Sequence, residues 1–248
     1  YCRSGYYSQC DNANPNGPKA GTCFFGGPKL TGPIDGLQAE KARVPFANVG
    51  LVKIPDDVSD REAIVLSDIL PTGYYGADMA RIRPGSTVAV FGCGPVGLFA
   101  IKSTFLMGAP QVFAIDRITE RLEIAQKLGG EIIDFDSEDP VEAVFHMTGG
   151  IGVDRVIDAV GIDASHPVKG PGWKHEKEMK QEFLKEVEEI APETHPDWQP
   201  GEAPSQVLNW AIKIIAKAGT LSLIGVYPQK MQIFPIGEAM NKNLKISM

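Results

Sequence analysis

Residues 87–97 read TVAVFGCGPVG, and this short stretch decides the fold. An apolar, β-branched strand runs directly into a G-x-G-x-x-G loop, and the residues after the loop are suited to a helix. In a Rossmann-type βα unit the glycines allow a sharp turn, a close approach of the backbone to a pyrophosphate, and tight packing of helix on sheet. The helix N-terminus then faces the phosphates. The predicted phosphate-binding residues are Gly92, Gly94, Pro95, Val96 and Gly97.

The same alternation of strand and helix continues along the chain. Strands are predicted at 87–92, 111–116, 131–135, 154–160, 220–226 and 244–248, and helices at 95–107, 119–128, 139–147 and 205–219, the last ending at Gly219. Such an alternation indicates an α/β fold with parallel strands and right-handed crossovers. We therefore predict a doubly wound, six-stranded Rossmann sheet.

The end of the second predicted strand carries the residue that selects the cofactor. Asp116 comes about 20 residues after the glycine loop, the spacing expected for an acid that hydrogen-bonds the adenosine ribose hydroxyls. A carboxylate there repels the 2′-phosphate of NADP, which favours NAD. Arg117 follows directly and is also able to accept a 2′-phosphate, but we expect the carboxylate to dominate. Cys93, inside the loop, is interpreted as a small filler rather than a reactive thiol.

Composition narrows the function further. The chain has 248 residues and a net charge of −7, and it shows no Lys/Arg cluster, which argues against a nucleic-acid partner. Its longest uncharged apolar stretch, 86–101, is short and broken by glycine and proline, so no transmembrane helix is predicted. Four cysteines are too few for a disulfide scaffold and favour a reducing, cytoplasmic location. The expected partner is a small molecule.

The first part of the chain has a different character. Residues 11–36 are rich in Gly, Asn and Pro and predict a loop lobe, whereas 36–57 predict short antiparallel strands. A capping box, Ser59-x-x-Glu62, predicts the start of a helix. The ends of the chain lack a domain-opening pattern, which suggests a piece of a longer protein. We expect a partial β-rich domain over 1–74 and the nucleotide-binding domain over 75–248.

An insertion at about 163–204 interrupts the alternation after the fourth strand. Its middle predicts an amphipathic helix, because Met179, Phe183, Val187 and Ile190 recur about one turn apart. We interpret it as a packed excursion, and alternatively as a lid or subunit contact beside the nucleotide site. The four histidines are expected to be surface or loop residues; they are His146, His166, His175 and His195.

Several segments together resemble the zinc-dependent medium-chain alcohol dehydrogenases, with particular likeness to the branch of the glutathione-independent formaldehyde dehydrogenases. They are the Cys2/Cys10 pair, GLQAEKARVPFANVGLVKIPDD, the glycine loop, DRVIDAVG, KAGTLSLIGVYP and SDILPTGY. The resemblance implies a GroES-like catalytic domain with a structural-zinc lobe, in which Cys2 and Cys10 are the third and fourth ligands. It also implies that Asp68 replaces a cysteine as a catalytic zinc ligand, which zinc chemistry allows. The other ligands are expected before Tyr1.

The resemblance also implies roles for residues around the cofactor. Thr72 would approach the nicotinamide ring and Arg121 the adenosine ribose, while four strand-end residues would hold the nicotinamide end: Val160, Gly161, Gly225 and Val226. The implied activity is zinc-assisted hydride transfer between an alcohol or aldehyde hydrate, such as that of formaldehyde, and NAD. The implied assembly is a homodimer or homotetramer.

Three alternatives stay open at this point. The chain is suited to a polyol or threonine-type dehydrogenase of the same superfamily, or to a nucleotide-binding fragment without catalysis. A methyltransferase that binds S-adenosylmethionine also uses a glycine loop and an acid after the second strand. It does not explain Asp68 and Thr72, nor the Cys2/Cys10 pair.

Overall fold

The computed structural model describes residues 1–20, 22–27, 29–32, 34–192, 199–228, 231 and 233–248; the side chains of 30 and 173–178 are not described. Contacts divide the chain into two units, Tyr1–Val58 and Ser59–Met248. The domain boundary expected at residue 74 stays a prediction.

The first unit consists of loops and short helical turns. It contains 3₁₀ turns at Cys2–Ser4, Tyr7–Gln9, Pro18–Ala20 and Lys29–Thr31, and one short helix, α1 (Ala47–Gly50). The antiparallel strands predicted over 36–57 are wrong, because this fully described segment contains no strand. A strand needs a neighbour to satisfy its backbone N–H and C=O groups. Among the described residues the segment has no such neighbour, and Leu51 and Val52 are 63% and 87% exposed.

The second unit is built on a six-stranded parallel sheet. Its strands are β1 (Thr87–Phe91), β2 (Gln111–Asp116), β3 (Glu131–Asp134), β4 (Val153–Asp158), β5 (Ile215–Leu223) and β6 (Lys245–Ser247). Their order is β3-β2-β1-β4-β5-β6, with every pair parallel. This order is that of the doubly wound dinucleotide-binding fold, with the switch point between β1 and β4. The predicted α/β class and six strands are confirmed.

Helices cover the sheet. They are α2 (Asp60–Ala63), α3 (Ile69–Met79), α4 (Pro95–Leu106), α5 (Thr119–Lys127), α6 (Pro140–Met147), α7 (Gly172–Ile190), α8 (Gln206–Ile214) and α9 (Ile236–Asn241), with 3₁₀ turns at Ile64–Ser67 and Gly161–Asp163. The predicted capping box is present, since Ser59 and Glu62 exchange side-chain and backbone hydrogen bonds at the start of α2.

The helix predicted over 205–219 is shorter than expected. It ends at Ile214, and Ile215 already pairs with Val153 in the sheet. The Nζ atom of Lys242 donates to the backbone carbonyls of Ile212 and Lys213, at 2.6 and 2.7 Å. A cation at the last carbonyls stabilises a helix end. A distant lysine therefore caps this helix, and Gly219 lies in β5 instead of at the helix end.

Core side chains pack on both faces of the sheet. On β1, Ala89 and Phe91 belong to one apolar cluster, and Val88 and Val90 belong to the other. A central parallel strand buried on both faces is expected in a doubly wound sheet. In the part of the chain that is described, no helix combines the length and apolar character needed to cross a membrane.

The insertion carries the predicted amphipathic helix, α7. Phe183 is 2% exposed and Glu186 is 1% exposed. The Glu186 carboxylate accepts hydrogen bonds from the backbone N–H of Ser205, at 3.2 Å, and from its hydroxyl. The helix is thus packed on the unit, and it is tied by a buried polar contact to the start of α8.

Candidate functional site

The glycine loop has the geometry of a phosphate cradle. Gly92 adopts φ 85°, a conformation that glycine tolerates best. A Cβ on Gly97 would lie 1.8 Å from the carbonyl oxygen of Gly92, so a side chain there would force the backbone apart. Gly94 is the N-cap of α4 and Pro95 is its first residue, an arrangement suited to a helix start. A Cβ on Gly94 would meet nothing closer than Arg121, at 4.0 Å, so this side of the loop is open.

Asp116 connects the end of β2 to that loop. Its Oδ2 atom accepts a hydrogen bond from the backbone N–H of Cys93 at 2.7 Å. Its Oδ1 atom accepts from the N–H groups of Arg117, at 2.7 Å, and Ile118, at 2.9 Å. A carboxylate offers about four acceptor sites, so Oδ2 keeps one for a ribose hydroxyl. Hydrogen bonds from Asp116 to both ribose hydroxyls stay a prediction.

A cavity of about 340 Å³ opens beside the loop. It is lined by Phe91, Gly92, Gly94, Ile115, Asp116, Arg117, Ile118, Arg121, Phe135, Ala159, Val160, Asp163, Ala164, Ser165, Val207 and Trp210. The cavity brings together two of the three predicted loop glycines, Gly92 and Gly94, with Asp116 and both arginines. Arg121 Nη1 lies 3.9 Å from Asp116 Oδ2.

Two aromatic residues of this cavity were not predicted from sequence. The rings of Phe135 and Trp210 are 5.3 Å apart and tilted by 52°, and Trp210 also stacks on Phe91 at 6.2 Å. Apolar walls with a few convergent polar groups are typical of cofactor pockets. The loop backbone, the carboxylate and this apolar wall therefore fit the adenosine half of a dinucleotide. Trp210 gave no local signal, because its place is set by the packing of α8.

The segments that follow β4 and β5 meet at the four predicted strand-end residues. Gly161 adopts φ 67°, and a Cβ there would lie 2.3 Å from the carbonyl oxygen of Val226. A Cβ on Gly225 would lie 2.3 Å from the nitrogen of Gly161. The predicted pairs, Val160 with Gly161 and Gly225 with Val226, therefore form one tightly packed corner that admits no side chain at either glycine.

A buried acid, missed from sequence, organises this corner. Asp158 is fully buried, and its Oδ1 atom accepts from the N–H groups of Val160 and Gly161, at 2.9 and 3.0 Å. Its other oxygen accepts a hydrogen bond from the hydroxyl of Tyr227. Burial raises the pKa of Asp158, while these hydrogen bonds lower it. Burial and the neighbouring Asp158 carboxylate raise the pKa of Tyr227.

Asp68 and Thr72 lie together at the start of α3. The Thr72 hydroxyl donates to Asp68 Oδ1 at 2.7 Å, and the Thr72 N–H donates to the Asp68 carbonyl at 2.9 Å. Asp68 is exposed. Gly73, the next residue of α3, packs against α4, because a Cβ there would lie 2.8 Å from the Val96 carbonyl oxygen. This close packing sets the start of α3 beside the helix that follows the glycine loop.

The described residues do not assemble a complete zinc site. Among them, no three His, Cys, Asp or Glu side chains come together as a metal-binding group. Asp68 supplies one carboxylate, and Cys2 and Cys10 are free thiols, one exposed and one partly exposed. A zinc ion needs three or four protein ligands. Asp68 is therefore a candidate for one ligand of a catalytic site, and Cys2 and Cys10 are candidates for two ligands of a structural site.

The contacts and burial of Cys93 and of the described histidines are those of structural or surface residues. Cys93 is buried, and burial raises the pKa of its thiol, as expected for an inert filler. His146 is exposed on α6, and His166 Nε2 lies 3.3 Å from Glu202. His195 and the side chain of His175 lie outside the described residues.

Comparison with known proteins agrees with this geometry. The family model described as zinc-binding dehydrogenase matches residues 95–167. The zinc-type alcohol dehydrogenase-like protein AdhB of Bacillus subtilis is 36% identical over 99% of this chain and 60% of its own length. The glutathione-independent formaldehyde dehydrogenase of Pseudomonas aeruginosa is 35% identical over 91% of this chain and 50% of its own length.

A solved structure shows the same relationship. The alcohol dehydrogenase TADH of Thermus sp. ATN1 superposes with a TM-score of 0.74 and 33% identity, covering 99% of this chain and 56% of that protein. The chain thus spans between half and three fifths of the length of these relatives.

Proposed function

Because the chain belongs to the zinc-type medium-chain alcohol dehydrogenase family, we propose that it binds NAD and serves hydride transfer between this cofactor and an alcohol or aldehyde hydrate. The observation that carries the proposal is the contact of Asp116 with the N–H of Cys93 inside the glycine loop. This contact holds the carboxylate that would bind the ribose at the glycine loop, at the edge of a cavity of about 340 Å³.

The chain's own residues would hold the cofactor in three places. Gly92, Gly94 and Gly97, with Pro95 and Val96, offer backbone and a helix N-terminus to the pyrophosphate. Asp116 and Arg121 would contact the adenosine ribose. The corner formed by Val160, Gly161, Gly225 and Val226 would hold the nicotinamide end, and Asp158 fixes its backbone. When bound, NAD supplies the hydride acceptor.

The proposal extends to the substrate and the metal. Asp68 is the candidate catalytic zinc ligand. The Thr72 hydroxyl donates a hydrogen bond to it, and Thr72 would approach the nicotinamide ring. Cys2 and Cys10 are the candidate structural zinc ligands. The 35% sequence identity to a formaldehyde dehydrogenase, over 91% of this chain, supports a small alcohol or aldehyde hydrate as substrate. We keep a polyol or threonine as the alternative substrate class.

Assembly and location follow as further parts of the proposal. β6 is an edge strand, and edge strands of such sheets pair readily with a second copy. We propose a homodimer or homotetramer formed through it. The free cysteines and the acidic balance favour a cytoplasmic protein without a nucleic-acid partner. The catalytic portion would cover 1–74 and the coenzyme portion 75–248.

Calorimetric titration of the chain with NAD tests the cofactor assignment. We expect saturable one-to-one binding, and no heat of binding would overturn the proposal. Turnover is tested with the protein as produced in its native host, using formaldehyde, short alcohols, a polyol and threonine while NAD reduction is followed by absorbance. Zinc content is measured on the same sample. NAD binding without turnover of any of these substrates would leave a nucleotide-binding module and remove the dehydrogenase assignment.

A further inference from the structure

Arg117 lies beside the ribose acid and yet is held by a second carboxylate. Arg117 directly follows Asp116 and lines the same cavity. Its Nε atom lies 3.2 Å from Oδ2 of Asp136, and its side chain is 31% exposed. An arginine at this place in a dinucleotide site is the usual means of binding a 2′-phosphate. Here the positive charge of Arg117 is already paired with the Asp136 carboxylate.

Asp136 is fixed in place by more than this ion pair. It is 7% exposed, and its Oδ1 atom accepts a hydrogen bond from the backbone N–H of Val168 at 2.8 Å. Its own N–H donates to Asp134 Oδ1 at 3.0 Å. The carboxylate therefore has a partner on each oxygen, from two different segments of the chain.

The insertion closes over this residue. Gly170 adopts φ 77°, and a Cβ there would lie 2.6 Å from the carbonyl oxygen of Asp136. Val168 and Gly170 thus both contact Asp136, and both belong to the insertion. The beginning of the insertion therefore holds the Asp136 carboxylate at Arg117, which is a role beyond surface packing.

We propose that Asp136 is a positioning residue that sets the preference for NAD over NADP, by holding and neutralising Arg117 beside Asp116. The proposal rests on the proposed cofactor site. Asp116 repels a 2′-phosphate directly, whereas Asp136 acts by removing the cation that would otherwise compensate for that repulsion. Sequence alone does not reveal this, because Asp136 follows β3 and belongs to no cofactor motif.

The test measures the affinities of NAD and NADP for the wild-type chain and for Asp136→Asn. The variant keeps an oxygen for the Val168 N–H and loses the charge that pairs Arg117. We expect NADP to bind at least about tenfold more tightly than to wild type, with NAD affinity changed by less than about threefold. The gain should shrink as salt increases, because it depends on a charge at a partly exposed arginine.

Three further variants make the result specific. Adding Arg117→Ala to Asp136→Asn should cancel the gain in NADP affinity. Asp154→Asn removes one carboxylate at the amino end of the sheet, where Asp154 bonds Thr87, and should leave the ratio of affinities at its wild-type value. Asp136→Ser, whose hydroxyl can also accept the Val168 N–H, carries the same test if the asparagine variant does not fold by circular dichroism.

Two outcomes would overturn the inference in different ways. A ratio of NADP to NAD affinity within about twofold of wild type in the folded Asp136 variants, while wild type binds NAD, would remove Asp136 from cofactor selection and leave the cofactor site intact. Failure of the wild-type chain to bind either nucleotide would overturn the proposed function and this inference with it.

Discussion

The Oδ2 atom of Asp116 lies 2.7 Å from the backbone nitrogen of Cys93, so the residue that ends β2 also fixes the loop that follows β1. Both ends of the contact are buried, since Asp116 is 6% and Cys93 0% exposed. A charge-assisted hydrogen bond in such surroundings is among the stronger ones in proteins. Asp116 therefore fixes the structure of the loop, and the proposed cofactor site gives it a second role, in ribose recognition.

Replacement of Asp116 by Asn should weaken NAD binding. One carboxylate oxygen becomes an NH₂ group, so either the Cys93 N–H or the N–H groups of Arg117 and Ile118 lose their acceptor, and the charged acceptor for a ribose hydroxyl is lost as well. A hydrogen bond to a charged group contributes about 1.5–3 kcal/mol, so we expect NAD affinity to fall by about tenfold or more. NADP affinity should fall less, so the ratio of NAD affinity to NADP affinity should decrease. Calorimetric titration of both cofactors measures this, and an unaltered ratio would remove Asp116 from the ribose site.

The glycine loop allows a second prediction, on Gly97 and Gly94. Gly97→Ala places a methyl group 1.8 Å from the Gly92 carbonyl oxygen, so the backbone must move. We expect a loss of about 3 kcal/mol or more in unfolding free energy, measured by urea denaturation. Gly94→Ala meets nothing closer than 4.0 Å and should keep wild-type stability.

The same pair of variants distinguishes packing from ligand contact. Gly94 faces open space at the mouth of the loop, where a pyrophosphate would approach, so Gly94→Ala should weaken NAD binding without destabilising the fold. If Gly94→Ala binds NAD as tightly as wild type, the loop does not approach the phosphates there. If Gly97→Ala is as stable as wild type, the close packing of the loop on α4 is not required.

Sequence was sufficient where the physical signal is local. The apolar strand and glycines at 87–97, the acid at Asp116 and the capping box at Ser59 each depend on residues close in the chain, and the sheet, the loop and the cap are all present. The spacing of apolar residues also predicted the helix of the insertion. These features follow from periodicity and backbone chemistry.

Sequence failed where a distant residue decides the outcome. The end of α8 depends on Lys242, which follows it by more than one element of secondary structure. The corner beside β4 depends on Asp158 meeting Tyr227, and the cavity wall on Trp210 meeting Phe135. The segment 36–57 has the composition of strands, but strand formation depends on a neighbour that local sequence does not specify.

Asp68 gives the third prediction, which concerns turnover. If its carboxylate binds the catalytic metal, Asp68→Asn should lower turnover by about a hundredfold or more, since even residues that only support a ligand cost about 10- to 100-fold. NAD affinity should be unchanged. Asp78→Asn, an exposed position on the same helix, is the matched control and should keep full activity. Zinc content and turnover are measured on protein from the native host.

Two results would contradict this assignment. Wild-type turnover in Asp68→Asn would remove Asp68 from the metal site. A parallel loss of NAD binding would show that the residue supports the cofactor pocket through α3 instead, since Gly73 packs against Val96. Thr72→Val removes the hydroxyl that donates to Asp68 and should give a smaller loss of turnover than Asp68→Asn.

Asp158 gives the last prediction, on the pH dependence of stability. Burial raises the pKa of Asp158 above its ordinary value of 3.8. The native state therefore holds a proton that the unfolded state releases once the pH exceeds that value. The contribution of Asp158 to the unfolding free energy must then fall as pH rises, by at most about 1.4 kcal/mol per pH unit, until the raised native pKa is passed.

Asp158→Asn removes this titration. Its amide oxygen still accepts from the N–H groups of Val160 and Gly161, so we expect the difference in unfolding free energy, variant minus wild type, to increase from about pH 4 upward. Tyr227→Phe should act in the opposite sense. It removes a donor that lowers the pKa of Asp158, so stability should fall further as pH rises. Urea denaturation from about pH 4 to about pH 8 measures all three proteins. If the difference in unfolding free energy between Asp158→Asn and wild type is constant with pH, Asp158 has the same protonation state in the folded and unfolded protein.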